Sequence, residues 1–175
     1  MIETERLILR PWREADREPY AAIMVDPEVG KWLGGPFTRR QSHERVARFT
    51  ASLAETGVGR LAVERKSDRR LIGHCGLAHT PDTPPVPAGI EIGWALAPDA
   101  WGSGFAAEAA RAVIADGFAR DEVAEILAFT GATNLRSRAV MRRLGMARGT
   151  DRDFDHPALP ADHPLRRHVV YALRR

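Results

Sequence analysis

The sequence predicts a mixed α/β fold, and three observations carry that expectation. Two strand-like runs, Arg60 to Glu64 and Leu71 to Ala78, flank a Ser67-Asp68 turn and read as an antiparallel hairpin. Ile90 to Leu96 alternates strictly, with Ile90, Ile92, Trp94 and Leu96 on one face and Glu91, Gly93 and Ala95 on the other. Between such runs lie stretches whose apolar residues recur at helical spacing. With 175 residues, 44% of them apolar and 28% charged, a single domain over residues 1–175 is expected, and disorder is not.

In chain order, Leu7 to Arg10 is a first strand, stopped by Pro11. A helix follows from Glu14 to Val25 on Tyr20, Ile23 and Met24; Asp26-Pro27 ends it, and Gly30 to Pro36 is a loop. Thr38 with Gln41 forms a capping box, and Val46, Phe49 and Leu53 share a helix face until Gly57 and Gly59 stop it. The hairpin comes next, and Thr80 to Pro87 is too rich in proline for a helix or a central strand, hence a surface loop. After the alternating strand, Trp101 to Ala106 opens a helix whose apolar face is Ala106, Ala109, Ala110, Val113, Ile114 and Phe118. Ile126 to Phe129 is a strand. Asn134 starts a helix that Gly145 closes, and His168 to Leu173 is a terminal strand.

Composition removes several classes of function. Lys and Arg number 26 against 23 Asp and Glu, a net charge of +3, and acids are interleaved with the bases, as from Glu3 to Glu18. A nucleic-acid reader carries a basic stripe instead, so nucleic acid is not an expected partner. No apolar run approaches the roughly 20 residues a bilayer span needs. Met1 to Arg6 mixes both signs without an apolar core, so the cytoplasm is the expected compartment and a membrane partner is not. The single Cys75 has no internal partner and reads as a small buried residue, while no His pair has zinc-motif spacing, so no metal is expected.

Chemistry concentrates in two segments. Trp101-Gly102-Ser103-Gly104-Phe105-Ala106 brings a strand to a helix N-terminus, where unpartnered backbone N–H groups attract an anion. Gly102 and Gly104 permit positive φ and close approach, and Ser103 adds a hydroxyl. The run formally fits the dinucleotide fingerprint G-x-G-x-x-A, but Ala97 to Trp101 separate the preceding strand from its first glycine, and no acid ends the next strand. Plain close packing of a Gly/Ala-rich helix start is the alternative. The second segment is Asn134 to Met146, where Asn134 caps a helix and Ser137 stands at its third position.

Taken in order, E-I-G-W-A-L from Glu91, W-G-S-G-F-A-A-E-A from Trp101 and N-L-R-S-R-A-V-M-R-R-L-G-M from Asn134 resemble the GNAT superfamily of acetyl-CoA-dependent N-acetyltransferases. Within it, the similarity is to the branch of the ribosomal-protein N-terminal acetyltransferases, and it runs from Thr4 to Tyr171. The resemblance implies a mostly antiparallel sheet in which two central parallel strands, at Ile90 to Leu96 and Ile126 to Phe129, splay apart. It places coenzyme A diphosphate on the amides of Gly102 to Ala106 and the pantetheine arm in the splay. Trp101 stands where the family usually has Gln or Arg.

The thin face at Gly93 and Ala95 suits a strand on which something else packs. The coenzyme-binding residues so implied are Trp101, Gly102, Ser103, Gly104, Phe105, Ala106 and Asn134. Amine acetylation needs a base for the ammonium and a proton for the departing thiolate. Glu91 is the candidate base, with a salt-bridged surface Glu as its structural alternative; Ser137 is the candidate acid, with helix capping as its alternative. His156 is a second candidate base, or an exposed loop residue.

The implied activity is direct transfer from acetyl-CoA to a primary amine, on a protein N-terminus or a small molecule. A non-catalytic acyl-CoA sensor is the rival reading. A homodimer is left open.

Overall fold

A computed structural model describes residues 1–80, 85–120 and 122–175. The chain opens with strands β1 (Ile2–Glu3) and β2 (Leu7–Arg10), a 3-10 turn at Glu14–Asp16, and helices α1 (Arg17–Met24), α2 (Pro27–Gly30) and α3 (Arg39–Thr56). Strands β3 (Arg60–Arg65), β4 (Arg70–Thr80) and β5 (Gly89–Leu96) precede helix α4 (Phe105–Phe118). Strand β6 (Glu125–Gly131), helix α5 (Leu135–Arg143) and strands β7 (Ala147–Arg148), β8 (Phe154–Asp155) and β9 (Arg167–Arg174) complete it.

Local chemistry explains the element ends. The predicted capping box of α3 is present: the Thr38 hydroxyl accepts from Gln41 N–H at 3.2 Å and the Gln41 amide oxygen from Thr38 N–H at 2.8 Å. Gly57, in left-handed conformation, closes the same helix. The helix expected from Glu14 divides, because Asp16 turns its carboxylate back to the Arg13 N–H at 2.7 Å and shapes a 3-10 turn before α1. Asp26-Pro27 ends α1 as expected but also starts α2, with the Asp26 carboxylate accepting from Glu28 N–H and Pro27 in its first turn. Residues 81–84 of the predicted proline loop lie outside the described residues.

The sheet runs β1-β2-β3-β4-β5-β6-β9-β7, with β8 on β9. Neighbours are antiparallel except β5 and β6. Strand β5 pairs with β4 from Gly73↔Leu96 to Thr80↔Gly89, yet meets β6 only at Ile90↔Ile126 and Glu91↔Leu127. Beyond Glu91 the two strands diverge, which is the implied splay.

The sheet is covered on both faces. Ile72, Cys75, Leu77, Ile92 and Leu96 pack with Ala109, Ala110, Val113 and Ile114 of α4. Tyr20, Ile23 and Met24 of α1 and Val46 of α3 pack with Ala62 and Leu71 on the other face. No described helix is long and apolar enough to cross a membrane.

One buried charge cluster fixes α1 to the sheet. The Arg10 guanidinium donates to both Asp16 carboxylate oxygens, at 2.6 and 2.9 Å, and through Nε to Glu64 at 2.8 Å. All three residues are at most 5% exposed. Burial is the largest influence and works to raise the Asp16 and Glu64 carboxyls, but the Arg10 hydrogen bonds together with the charges of Arg10 and neighbouring arginines outweigh it and hold both below the usual carboxylate range.

Candidate active site

The turn before α4 is built as a nest of backbone amides. Gly102 and Gly104 have φ of 77° and 83°, the left-handed region that L side chains rarely adopt. The first bond of the α4 ladder runs from Glu108 N–H to Gly104 carbonyl at 3.0 Å, so the preceding amides of Phe105, Ala106 and Ala107 fall outside it. Arg6 and Glu108 brace the turn from behind. Glu108 accepts from the Thr4 hydroxyl at 2.6 Å, from Arg6 N–H at 2.9 Å and from Arg6 Nε at 2.7 Å. The same guanidinium reaches the Ser103 carbonyl at 3.0 Å and lies over the Phe105 ring.

This turn opens into a cavity of about 630 Å³ that continues into the fork between β5 and β6. Along one side runs the β5 edge from Ile92 to Leu96, which β6 leaves unpaired. Phe129 and Thr130 of β6 form the other side. Glu91 sits at the last paired position, where the strands part.

Of the residues singled out from sequence, Glu91, Trp101, Gly102, Gly104, Phe105, Ala106, Asn134 and Ser137 all line this cavity. Ser103 is not among its lining; its carbonyl is turned back to Arg6. The Trp101 indole N–H is satisfied by the Leu96 carbonyl at 2.8 Å, and the Arg136 guanidinium stacks 4.7 Å over its ring. Asn134 caps α5 by accepting from Ser137 N–H at 3.2 Å and donates to the Thr130 hydroxyl at 3.1 Å. Cys75 is fully buried on the α4 side, where burial pushes its thiol up to about 12.

The thin face of β5 differs from the expectation. It is covered by Arg60 of β3, a residue the sequence did not single out. The guanidinium pairs with Glu91 at 3.0 Å and donates to the Gly76 carbonyl at 2.6 Å. A Cβ on Gly93 would lie 2.7 Å from Arg60 Cζ, so glycine makes room for the chain's own arginine. Because the obstacle is the tip of a flexible side chain, Gly93→Ala is expected to leave the fold intact and to push Arg60 off Glu91. With Glu91 as the base that the resemblance implies, turnover is expected to fall by about 10- to 100-fold, as displaced catalytic geometry does, with little change in thermal midpoint. Unaltered turnover would show that the Arg60–Glu91 pair has no part in the reaction.

Two further features concern histidines. His74 is buried beneath the cavity, hydrogen-bonded to the Tyr20 hydroxyl at 3.1 Å. Burial, with the Arg45 and Arg60 charges nearby, drives it well below the ordinary imidazole range. His156, half-buried rather than exposed, lies beside His168 with ring centres 5.0 Å apart, and both line the cavity. Burial lowers both imidazoles, so both are neutral at pH 7. The sequence singled out only His156 of the three; His74 and His168 meet the cavity through strand register.

A helix-start amide nest suits an anion, and the forked parallel strand pair extends the cavity away from it. The acetyltransferase (GNAT) domain profile matches residues 6–147, most of the chain. The chain belongs to the GNAT acetyltransferase family. It is 29% identical over 147 residues to the uncharacterized N-acetyltransferase YoaA of Bacillus subtilis, covering 83% of this chain and 81% of that protein. An acetyltransferase structure from Agrobacterium tumefaciens str. C58 superposes with a TM-score of 0.79 at 28% identity, over 99% of this chain and 94% of that one. The fold is also that of RimL, the ribosomal L7/L12 α-N-protein acetyltransferase solved with coenzyme A, with a TM-score of 0.76 at 15% identity over 98% and 95% of the two chains. As a GNAT protein the chain is an acetyltransferase, and acetyl-CoA is the acyl donor of the family.

Proposed function

We propose that this GNAT protein moves the acetyl group of acetyl-CoA to a primary amine, on a protein N-terminus or a small molecule, by direct attack in a ternary complex. The observation that carries the reading is Glu91 at the fork, on the wall of the same cavity that contains the amide nest. The residues fit the donor. Free amides at Phe105 to Ala107 suit a diphosphate, and the unpaired edge at Ile92 to Leu96 suits an amide-bearing arm that pairs as a strand does. When bound, acetyl-CoA supplies the thioester carbonyl.

The protein's own groups do the rest. An alkyl ammonium has a pKa of roughly 10.4 and must lose its proton to become a nucleophile. Glu91 accepts that proton, directly or through water, while Arg60 holds its carboxylate in one orientation. Ser137, placed by the Asn134 cap, presents its hydroxyl as the proton donor for the departing thiolate. Asn134 positions α5 and, with Trp101, the coenzyme beside it. Burial of Cys75 and its raised thiol argue against an acetyl-cysteine relay.

Coenzyme A at 100 times its Kd is expected to add about 2.7 kcal/mol of stability, since only the folded chain offers the nest. A thermal melt with and without coenzyme checks it, and no shift would remove the nest assignment. Transfer itself is tested by following free thiol release from acetyl-CoA across a panel of amines and peptides. Tight coenzyme binding with silence over a broad panel would make the protein an acyl-CoA sensor instead.

A further inference from the structure

The acceptor end of the cavity carries more positive charge than an amine site needs. Arg45, Arg60 and Glu91 all line it, and the charges of Arg45 and Arg60 both act on His74 in the same wall, which burial keeps neutral. Arg60 is committed to Glu91 and the Gly76 carbonyl. Arg45 has no carboxylate partner among the described residues. Its guanidinium lies over two aromatic rings, with Cζ 4.6 Å from the Phe37 ring centre and 5.4 Å from that of Phe49. Its Nε is shielded from solvent with no acceptor among the described residues.

A guanidinium half-removed from water without an anion is costly. It also repels an incoming ammonium, whose attraction to Glu91 is already shared with Arg60. An acceptor that brings its own anion reverses both effects, and a planar fork suits a carboxylate. We propose that Arg45 recognises the acceptor and that the acceptor is an amine that itself bears a carboxylate. This rests on the transferase reading of the same cavity.

The test compares kcat/KM for matched pairs, amino acids against their carboxamides, in the wild type, Arg45→Met and Arg45→Lys. In the wild type the acid is favoured over the amide by about 10- to 100-fold, the range of a charge-assisted hydrogen bond. Arg45→Met keeps the apolar stem and brings that ratio close to one, chiefly through KM for the acid. Arg45→Lys keeps the charge without the fork and restores part of it. Amides used as well as acids, or a preference that survives Arg45→Met, would overturn the assignment.

Calorimetric titration of the coenzyme A complex with N-acetyl amino acids and their amides, the corresponding product pairs, reads the same recognition without turnover. Selective binding of the acid, lost in Arg45→Met, upholds the role of Arg45 even if no amine in the panel is acetylated, in which case the transfer reading alone falls. Equal binding of acid and amide counts against it whatever the kinetics show.

Discussion

Glu91→Gln is expected to lower kcat by about 10²- to 10⁴-fold, the usual contribution of a positioned general base. Coenzyme affinity should hardly change, because the nest amides lie at the other end of the cavity. The substitution keeps the shape of the side chain but removes the charge that pairs with Arg60 and that is proposed to take the ammonium proton. Raising the pH supplies free amine and bypasses the base, so the deficit should narrow in alkaline buffer. Steady-state kinetics between pH 7 and 10 read both effects. A variant as active as the wild type at pH 7 would take Glu91 out of the mechanism and leave His156 and His168, neutral imidazoles on the cavity wall, as the alternative acceptors.

Arg10→Met should cost about 3–5 kcal/mol at neutral pH, the penalty of stranding buried charge when one partner of a buried pair is removed. Asp16 would keep only backbone donation from Arg13, and Glu64 ion pairs with the more exposed Arg69 and Arg13, for two carboxylates that are at most 5% exposed. The pH dependence should change sign. In the wild type both carboxyls are lowered by folding, so their stabilisation is complete above the unfolded values near pH 4 and is lost as pH falls through the folded ones. Without Arg10, burial dominates and raises both, so stability should recover in part as acid neutralises them. Denaturant titrations at pH 5 and pH 7 distinguish the two, and a loss below about 1 kcal/mol would show that the pair is not what anchors α1.

Short-range chemistry was readable from the sequence, and chemistry that depends on register was not. The Thr38–Gln41 box, the Asn134 cap with Ser137 on it and the glycine turn at Gly102 and Gly104 each involve residues within one turn of one another, so sequence spacing fixes them. The strict alternation of β5 likewise assigned Glu91 to its face. Arg60 escaped because only the pairing Arg60↔Gly76 and Gly76↔Gly93 shows that three strands bring its guanidinium over Gly93. Arg10 reads as the last residue of a strand, and its partners Asp16 and Glu64 lie on a turn and on another strand. The two-residue strands β1, β7 and β8 are too short to carry any period.

Because β5 and β6 share only two residue pairs, the sheet consists of two half-sheets welded along a very short seam. A donor seated in the wedge above that seam, as proposed, would be a structural member as well as a reactant. It would complete hydrogen bonding that the polypeptide leaves open and tie together halves that otherwise meet at the tip. On the proposed reading, loading and discharge of the donor would alternately brace and relax the two halves that carry Glu91 and Ser137.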